Sequence, residues 1–499
     1  MSEREKTYVE DVNRSIYDIR NEEKDVYRIK KGLTPDIVAE ISEKKKDPAW
    51  MANFRLQSLQ IYNEMEVPDW GPSIEGLNME DIVTYVKPNT HMSAKWSEVP
   101  EDIKDTFEKL GIPQAERKSL AGVGAQYDSE LVYHNVREEV AAQGVVYTDM
   151  ESALKGEYAD MVQSHFMKLV KPNDHKFAAL HGAVWSGGSF VYVPPGVSVT
   201  IPLQSYFRLN APGAGQFEHT LIIVDKGAYL HFIEGCSAPK YNVANLHAGC
   251  VELFVEEGAT LRYSTIENWS KNMYNLNTKR ALVKEGGRIE WVSGSFGSHT
   301  SCLYPMSILA GEGARMEFTG ITFAGAGQDL DTGAKVDGFN GDNACTYGVG
   351  KIDLEAQRLL DVTKAALYKG IEQAKAGNRI GDIGYAVQSY CEDAGFSVVR
   401  EFVGHGTGRE LHEDPEVPNY GHQGRGPRLV PGMTIAIEPM ICQYDCKITQ
   451  SKDGWTVKTK DGGLAAHFEH SNAILKDHTE IMTRFWDDPD FDPETFSLK

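Results

Sequence analysis

Asp331-Thr-Gly-Ala-Lys-Val-Asp337-Gly338-Phe-Asn-Gly-Asp342 is the stretch at which the character of this chain changes. Asp337-Gly338 is a strong two-residue hairpin signal, because a type I′ turn needs φ > 0 at both central positions. Folding the arms about that turn sets Asp331 opposite Ala344 and Asp342 opposite Gly333. The two carboxylates then become diagonal neighbours on one face, about 7–8 Å apart, within reach of a shared pair of cations. A solvated turn carrying two surface acids is the plainer alternative for the stretch taken alone.

Upstream of the turn, from about residue 177, short β-rich runs are punctuated by glycine. One cue recurs at Pro195-Gly196-Val197, Lys226-Gly227-Ala228, Glu257-Gly258-Ala259, Gly286-Gly287-Arg288 and Glu312-Gly313-Ala314. Its central glycines are spaced 31, 31, 29 and 26 residues apart. A period of roughly thirty with turn glycines and β-branched flanks predicts coils of a β-helix or a stacked sheet. A sandwich with irregular strands is the competing fold. Further upstream, Thr34-Pro35-Asp36 marks a helix start, and Lys46-Asp47-Pro48 ends that helix. Trp50, Met51, Phe54, Leu56, Leu59 and Tyr62 mark a second, amphipathic helix. A third covers 102–110 and stops at Gly111-Ile112-Pro113, while residues 1–32 read as charged and frayed.

Downstream, helical periodicity covers 353–375, with Leu354, Leu359, Val362, Ala366 and Ile371 on one face. A second helix covers 383–394 and ends at Gly395, a good residue just past a helix end. Strands follow at 396–403, 433–437, 455–458 and 464–474. His405 lies among glycines in Val403-Gly-His-Gly-Thr-Gly408, Glu438 follows an apolar run, and Glu469 interrupts an apolar strand. A carboxylate there is costly to bury unless paired or metal-bound. Singly, each reads as a strand-end acid or a surface histidine. Together with Asp331 and Asp342 they are the hard oxygen and borderline nitrogen donors of a dinuclear Mn, Fe, Co or Zn site.

The chain has 499 residues, 41% hydrophobic, enough for two to four domains with sizeable cores. A net charge of −21 argues against broad binding to nucleic acid or anionic membranes. No signal peptide or membrane-spanning apolar run is apparent. Seven scattered cysteines suit a reducing, cytoplasmic setting rather than a disulfide framework.

Seven motifs in the front two thirds carry a resemblance. They are Asp47-Pro-Ala-Trp-Met51 with Phe54-Arg-Leu56, Ala121-Gly-Val-Gly-Ala-Gln-Tyr127, Val132-Tyr-His-Asn135, Trp185-Ser-Gly-Gly-Ser-Phe190, Gln216-Phe-Glu-His-Thr-Leu221, Glu234-Gly-Cys-Ser-Ala-Pro239 and Asn275-Leu-Asn-Thr-Lys-Arg280. Together they resemble SufB, the scaffold subunit of the bacterial iron–sulfur cluster assembly system, up to about Val336. The resemblance implies a helical N-terminal region, a right-handed β-helix core, and SufC (an ATPase) and SufD as partners. It also makes Cys236 a candidate sulfur acceptor; on spacing alone, Cys236 reads as a small buried residue of a coil. The family's β-helix continues further, into the positions linked to cluster assembly and the segment that binds SufC. Neither follows Val336 here, which puts Fe–S cluster binding in doubt.

A second resemblance begins at the turn. Asp337-Gly-Phe-Asn-Gly-Asp342, Ser397-Val-Val-Arg-Glu401, Gly404-His-Gly-Thr-Gly408, Ile437-Glu-Pro-Met440, Asp453-Gly-Trp-Thr-Val-Lys-Thr-Lys-Asp461 and Phe468-Glu-His470 resemble type I methionine aminopeptidase, of the pita-bread fold. That family implies two divalent metal ions held by Asp331, Asp342, His405, Glu438 and Glu469, with Asp342 and Glu469 bridging. It implies proton transfer by Glu438, a substrate hydrogen bond from His412, and Trp455 at the pocket rim. The family's first half, with its methionine pocket and a second catalytic histidine, is replaced here by the SufB-like sequence.

The expected fold is therefore α+β. A helical or mixed region spans 1–175, a truncated β-helix 176–336, an incomplete pita-bread α/β domain 331–485, and an acidic tail 486–499. The expected function is a SufB-like scaffold fused to a metal-dependent aminopeptidase acting on the N-terminal Met of nascent proteins. A non-catalytic SufB-type scaffold, and a recombination or sequence-assembly artefact with neither activity, are the open alternatives.

Overall fold

A computed structural model describes residues 17–22, 24–68, 72–110, 120–325, 327–348, 352–450 and 457–483. The chain divides into two units, Met1–Asp337 and Gly338–Lys499.

In the first unit the expected helix starts at Pro35, capped by the Thr34 hydroxyl oxygen, which accepts from the Ile37 N–H at 3.3 Å. It ends at Lys46, whose φ of 54° is left-handed. The following helix, Ala49–Glu64, buries Met51, Arg55, Ser58 and Leu59, whereas Leu56, expected on the apolar face, is exposed. The reason is a buried ion pair. Arg55 Nε lies 2.7 Å from Asp47 and its Nη1 donates to the Trp185 carbonyl at 2.9 Å, so a charged residue docks the helix. Residues 17–32 are not wholly frayed, since Asp25–Arg28 pairs antiparallel with Val86–Pro88.

Beyond Ser189 the chain winds as a β-solenoid of three parallel sheets. One sheet stacks Ser198–Arg208, Tyr229–Ser237, Thr260–Trp269, Arg288–Gly297 and Arg315–Phe323 in succession. Short strands from Gly215–Gln216 to Asp329–Thr332 form the second, and Ser189–Val193 to Lys335–Val336 stack in the third. The turn glycines are Gly196, Gly227, Gly258, Gly286 and Gly313, with φ between 62° and 71°. Such a conformation costs a side-chain-bearing residue roughly 1–2 kcal/mol. The fourth is Gly286 and not Gly287, so the spacings are 31, 31, 28 and 27. Inside the stack Phe232, Tyr263, Trp291 and Phe318 occupy one register row, with the first two pairs of rings 5.8 and 5.5 Å apart.

Asp337 and Gly338 have φ of 51° and 83°, as the expected turn requires. Next to the turn Lys335–Val336 and Phe339–Asn340 are neighbours as expected, but that register does not extend to Asp331 and Ala344. Asp331 stacks in register on Cys302 within the solenoid, while Ala344 pairs with Glu469 in the second unit.

The second unit has a mainly antiparallel core. Its larger sheet contains Asn343–Ala344, Glu469–Ile474, Thr434–Ile437, Gly404–Gly406 and Glu413–Val417. A smaller one joins Ser397–Val398, Met440–Cys442 and Ala465–His467. Helices Leu354–Gln373 and Ile380–Asp393 pack on these strands through Leu359, Ala366, Leu367, Ile383 and Val387. Leu354, expected on that apolar face, is the first helical residue and is exposed. The single strand expected at 464–474 is two strands interrupted at Phe468.

Candidate metal centre

Four side chains meet in the second unit because four strand ends meet there. Asp342 precedes Asn343–Ala344 and is clasped by Ser471, whose hydroxyl accepts from the Asp342 N–H and donates to its carbonyl. Glu469 opens the neighbouring strand. Glu438 follows Thr434–Ile437, its carbonyl accepting from Asn419 Nδ2 at 2.9 Å. His405 lies between Gly404 and Gly406. A Cβ at either glycine would come within 2.3 Å of a carbonyl oxygen on a neighbouring segment, so only glycine permits that approach.

The imidazole is oriented for a ligand. His405 Nδ1 lies 2.9 Å from the Gly406 carbonyl, which can only accept, so Nδ1 carries the proton and Nε2 is left with a lone pair. That Nε2 lies 3.6 Å from Asp342 Oδ2 and 3.4 Å from Glu438 Oε1. Donor atoms of Asp342, His405 and Glu469 fall within 4.8 Å of one another, as do those of Glu438, His467 and Glu469. His412, exposed, packs its ring edge-on against His405 at 4.3 Å.

Like charges crowd this site. Burial, then the charges of Asp342 and Glu438, push the Glu469 carboxyl up to about 9. Burial also raises Asp342; His405 opposes that shift and Glu438 adds to it. Glu469 Oε1 and His467 Nε2 are buried with no hydrogen-bond partner. Three carboxylates, imidazole nitrogen and orphaned acceptors fit a borderline divalent cation, which would relieve both the crowding and the missing contacts.

Asp331 belongs to the first unit. There it lies beside Cys302 and accepts from the Tyr304 hydroxyl; burial and then the Asp331 charge push the Cys302 thiol up to about 12. Cys236 is also in the first unit, 1% exposed in strand Tyr229–Ser237. Its donor atom lies within 4.8 Å of those of Glu218 and His247. Burial, then the charges of Glu234, Glu218 and Glu267, raise the Cys236 thiol well above its usual range, so it rests as a neutral thiol. Trp455 lies outside the described residues. His467 was not among the candidates from sequence. The signal was present: it stands two residues before Glu469, and residues two apart in an extended segment share a face.

Comparison with known proteins divides the chain in the same way. Residues 39–205 match the model of the SufBD protein N-terminal region, and 207–347 that of the SufBD core domain of the SUF system for FeS cluster assembly. Residues 329–475 match metallopeptidase family M24. The last two matches overlap over 329–347, around the Asp337-Gly338 turn. The iron-sulfur cluster assembly protein SufB of Bacillus subtilis is 50% identical over 326 residues, 65% of this chain and 70% of that protein. A SufBD family protein of Staphylococcus haemolyticus is 49% identical over the same lengths. Among solved structures, methionine aminopeptidases of Thermotoga maritima and Rickettsia prowazekii are 47% and 46% identical over 30% of this chain, each with a TM-score of 0.29. The chain spans 60% of the length of each. No described helix is long and apolar enough to cross a membrane. By its longest match the chain belongs to the SufBD family of iron–sulfur cluster assembly proteins, with a metallopeptidase domain of the M24 type joined after it.

Proposed function

We propose that the second unit is a metal-dependent aminopeptidase that removes N-terminal methionine from nascent chains. The crowding of Asp342, Glu438 and Glu469 around two imidazoles, with Glu469 pushed up to about 9, carries this reading. The proposed ligands within this unit are Asp342, His405, Glu438 and Glu469, with Mn, Fe, Co or Zn as the metals. When bound, the two ions lower the pKa of water and stabilise the charge that develops on a peptide carbonyl. Glu438 takes the proton of the attacking water and passes it to the departing amine. His412, exposed beside His405, donates a hydrogen bond to the substrate peptide. Purified full chain supplied with each metal in turn should release methionine from a Met-Ala peptide. A chain that binds no divalent metal, or binds it and never cleaves, sinks the reading.

For the first unit we propose a scaffold role within iron–sulfur cluster assembly, with SufC and SufD as partners and Cys236 receiving sulfur. The match to SufB over 65% of the chain supports it. Affinity capture with purified SufC and SufD tests it, and failure to form any complex counts against it. The two proposals stand or fall separately.

A further inference from the structure

His467 is placed like a ligand rather than like a hydrogen-bonding neighbour. Its Nε2 lies 3.3 Å from Glu438 Oε2 and 3.9 Å from Glu469 Oε2, and it is buried without a hydrogen bond. Two donors on one cation, with bonds of about 2.0–2.2 Å, stand about 3–4 Å apart. That separation is observed here, and it exceeds the usual N–H···O distance of about 2.9 Å. Glu438 divides its oxygens between the two imidazoles, Oε1 toward His405 and Oε2 toward His467.

The backbone under His467 is fixed without help from the ring. Its N–H donates to Thr346 Oγ1 at 2.9 Å, the Thr346 hydroxyl donates to its carbonyl at 2.7 Å, and it pairs with Met440 in the smaller sheet. A backbone held this way, with the ring nitrogen Nε2 set between two carboxylates, presents the imidazole to a metal.

We propose that His467 Nε2 is a protein ligand of the centre. The centre then has two overlapping positions within the second unit, Asp342–His405–Glu469 and Glu438–His467–Glu469, sharing Glu469. Each position combines one imidazole with carboxylate oxygen, a set that favours Zn, Co, Fe or Mn over Mg or Ca. The inference rests on the reading of this unit as a two-metal site, and it names a ligand that the family resemblance does not supply.

The test uses the full chain equilibrated with limiting free Co²⁺. Bound metal is counted by elemental analysis and the visible d–d absorption is recorded. Wild type should bind two equivalents. His467→Ala should lose one of them, or hold it about tenfold more weakly, with a changed d–d spectrum. His467→Gln, closer in size, should show the same loss and guards against a folding defect, as does an unchanged circular dichroism melt. Two equivalents with a wild-type spectrum in both variants overturn the inference while leaving the two-metal reading intact. Wild type that binds no Co²⁺ removes both.

Discussion

In the first unit Lys279 Nζ lies 3.0 Å from Glu267 and 3.7 Å from Glu234, and Arg55 pairs with Asp47, all of these groups buried. In the second unit Asp342, Glu438 and Glu469 converge with only the imidazoles of His405 and His467 in ion-pair range among the described residues. The acids of the first unit carry their own counter-charges: Lys279 lies on a strand of a different sheet from Glu267 and Glu234, and Arg55 reaches back from its helix to Asp47. The second unit brings its acids together with no lysine or arginine in ion-pair range among the described residues, and Glu469 answers by holding its proton. For these groups, buried charge is thus a structural matter in the first unit and a demand for an outside cation in the second.

The comparison breaks most visibly if Glu469→Gln leaves metal binding intact. The expected outcome is loss of bound metal and a fall on the order of 10³-fold in kcat/KM on a Met-Ala peptide, read by elemental analysis and product release. Lys279→Met should destabilise the first unit by about 3–5 kcal/mol in a denaturant melt, because it leaves Glu267 and Glu234 buried without their cation. Saturating Mn²⁺ at about a hundred times its Kd should stabilise the second unit by about 2.7 kcal/mol and leave the first unchanged. A first-unit transition that moved with metal would erase the distinction.

A smaller effect concerns acid. Burial pushes His134 down to about 4, and its Nε2 is buried without a partner. The unfolded chain therefore takes up this proton first, near pH 6.5. The stability contributed by the neutral ring is present above that pH and is lost as pH falls toward 4. Between pH 7 and 4.5, wild type should lose about 2 kcal/mol more than His134→Phe, measured by equilibrium unfolding at each pH. Parallel pH profiles for the two proteins would refute this.

What could be read from sequence was whatever a residue type alone dictates. Five turn glycines mark the solenoid because a left-handed corner disfavours residues with a side chain; only the choice between Gly286 and Gly287 was open, since either can take that φ. The Asp337-Gly338 turn was legible for the same reason. The partners of Asp331 and Ala344 were not, because in-register stacking on Cys302 for the one, and pairing with Glu469 for the other, are long-range partnerships that a local hairpin pattern cannot weigh. His467 escaped notice because its place depends on Glu438, 29 residues away along the chain. Leu56 was assigned to the core on apolarity, while Arg55 beside it took the buried place through Asp47.

The aromatic row of the solenoid has a last rung. Leu230 and Phe232, Leu261 and Tyr263, and Ile289 and Trp291 are all buried, yet Met316 and Phe318, at the same positions of strand Arg315–Phe323, are only half covered, and Ile321 is exposed. Among the described residues this strand ends its sheet, and one side of its backbone has no strand partner there. In the terms of polymer growth it is a nucleus already formed: the costly ordering of a template is complete, and each added in-register strand gains both hydrogen bonds and apolar cover. Light scattering that rises with protein concentration, and is abolished by Phe318→Lys, would register that growth. At such an edge, association between copies would compete with any other docking on the same strand.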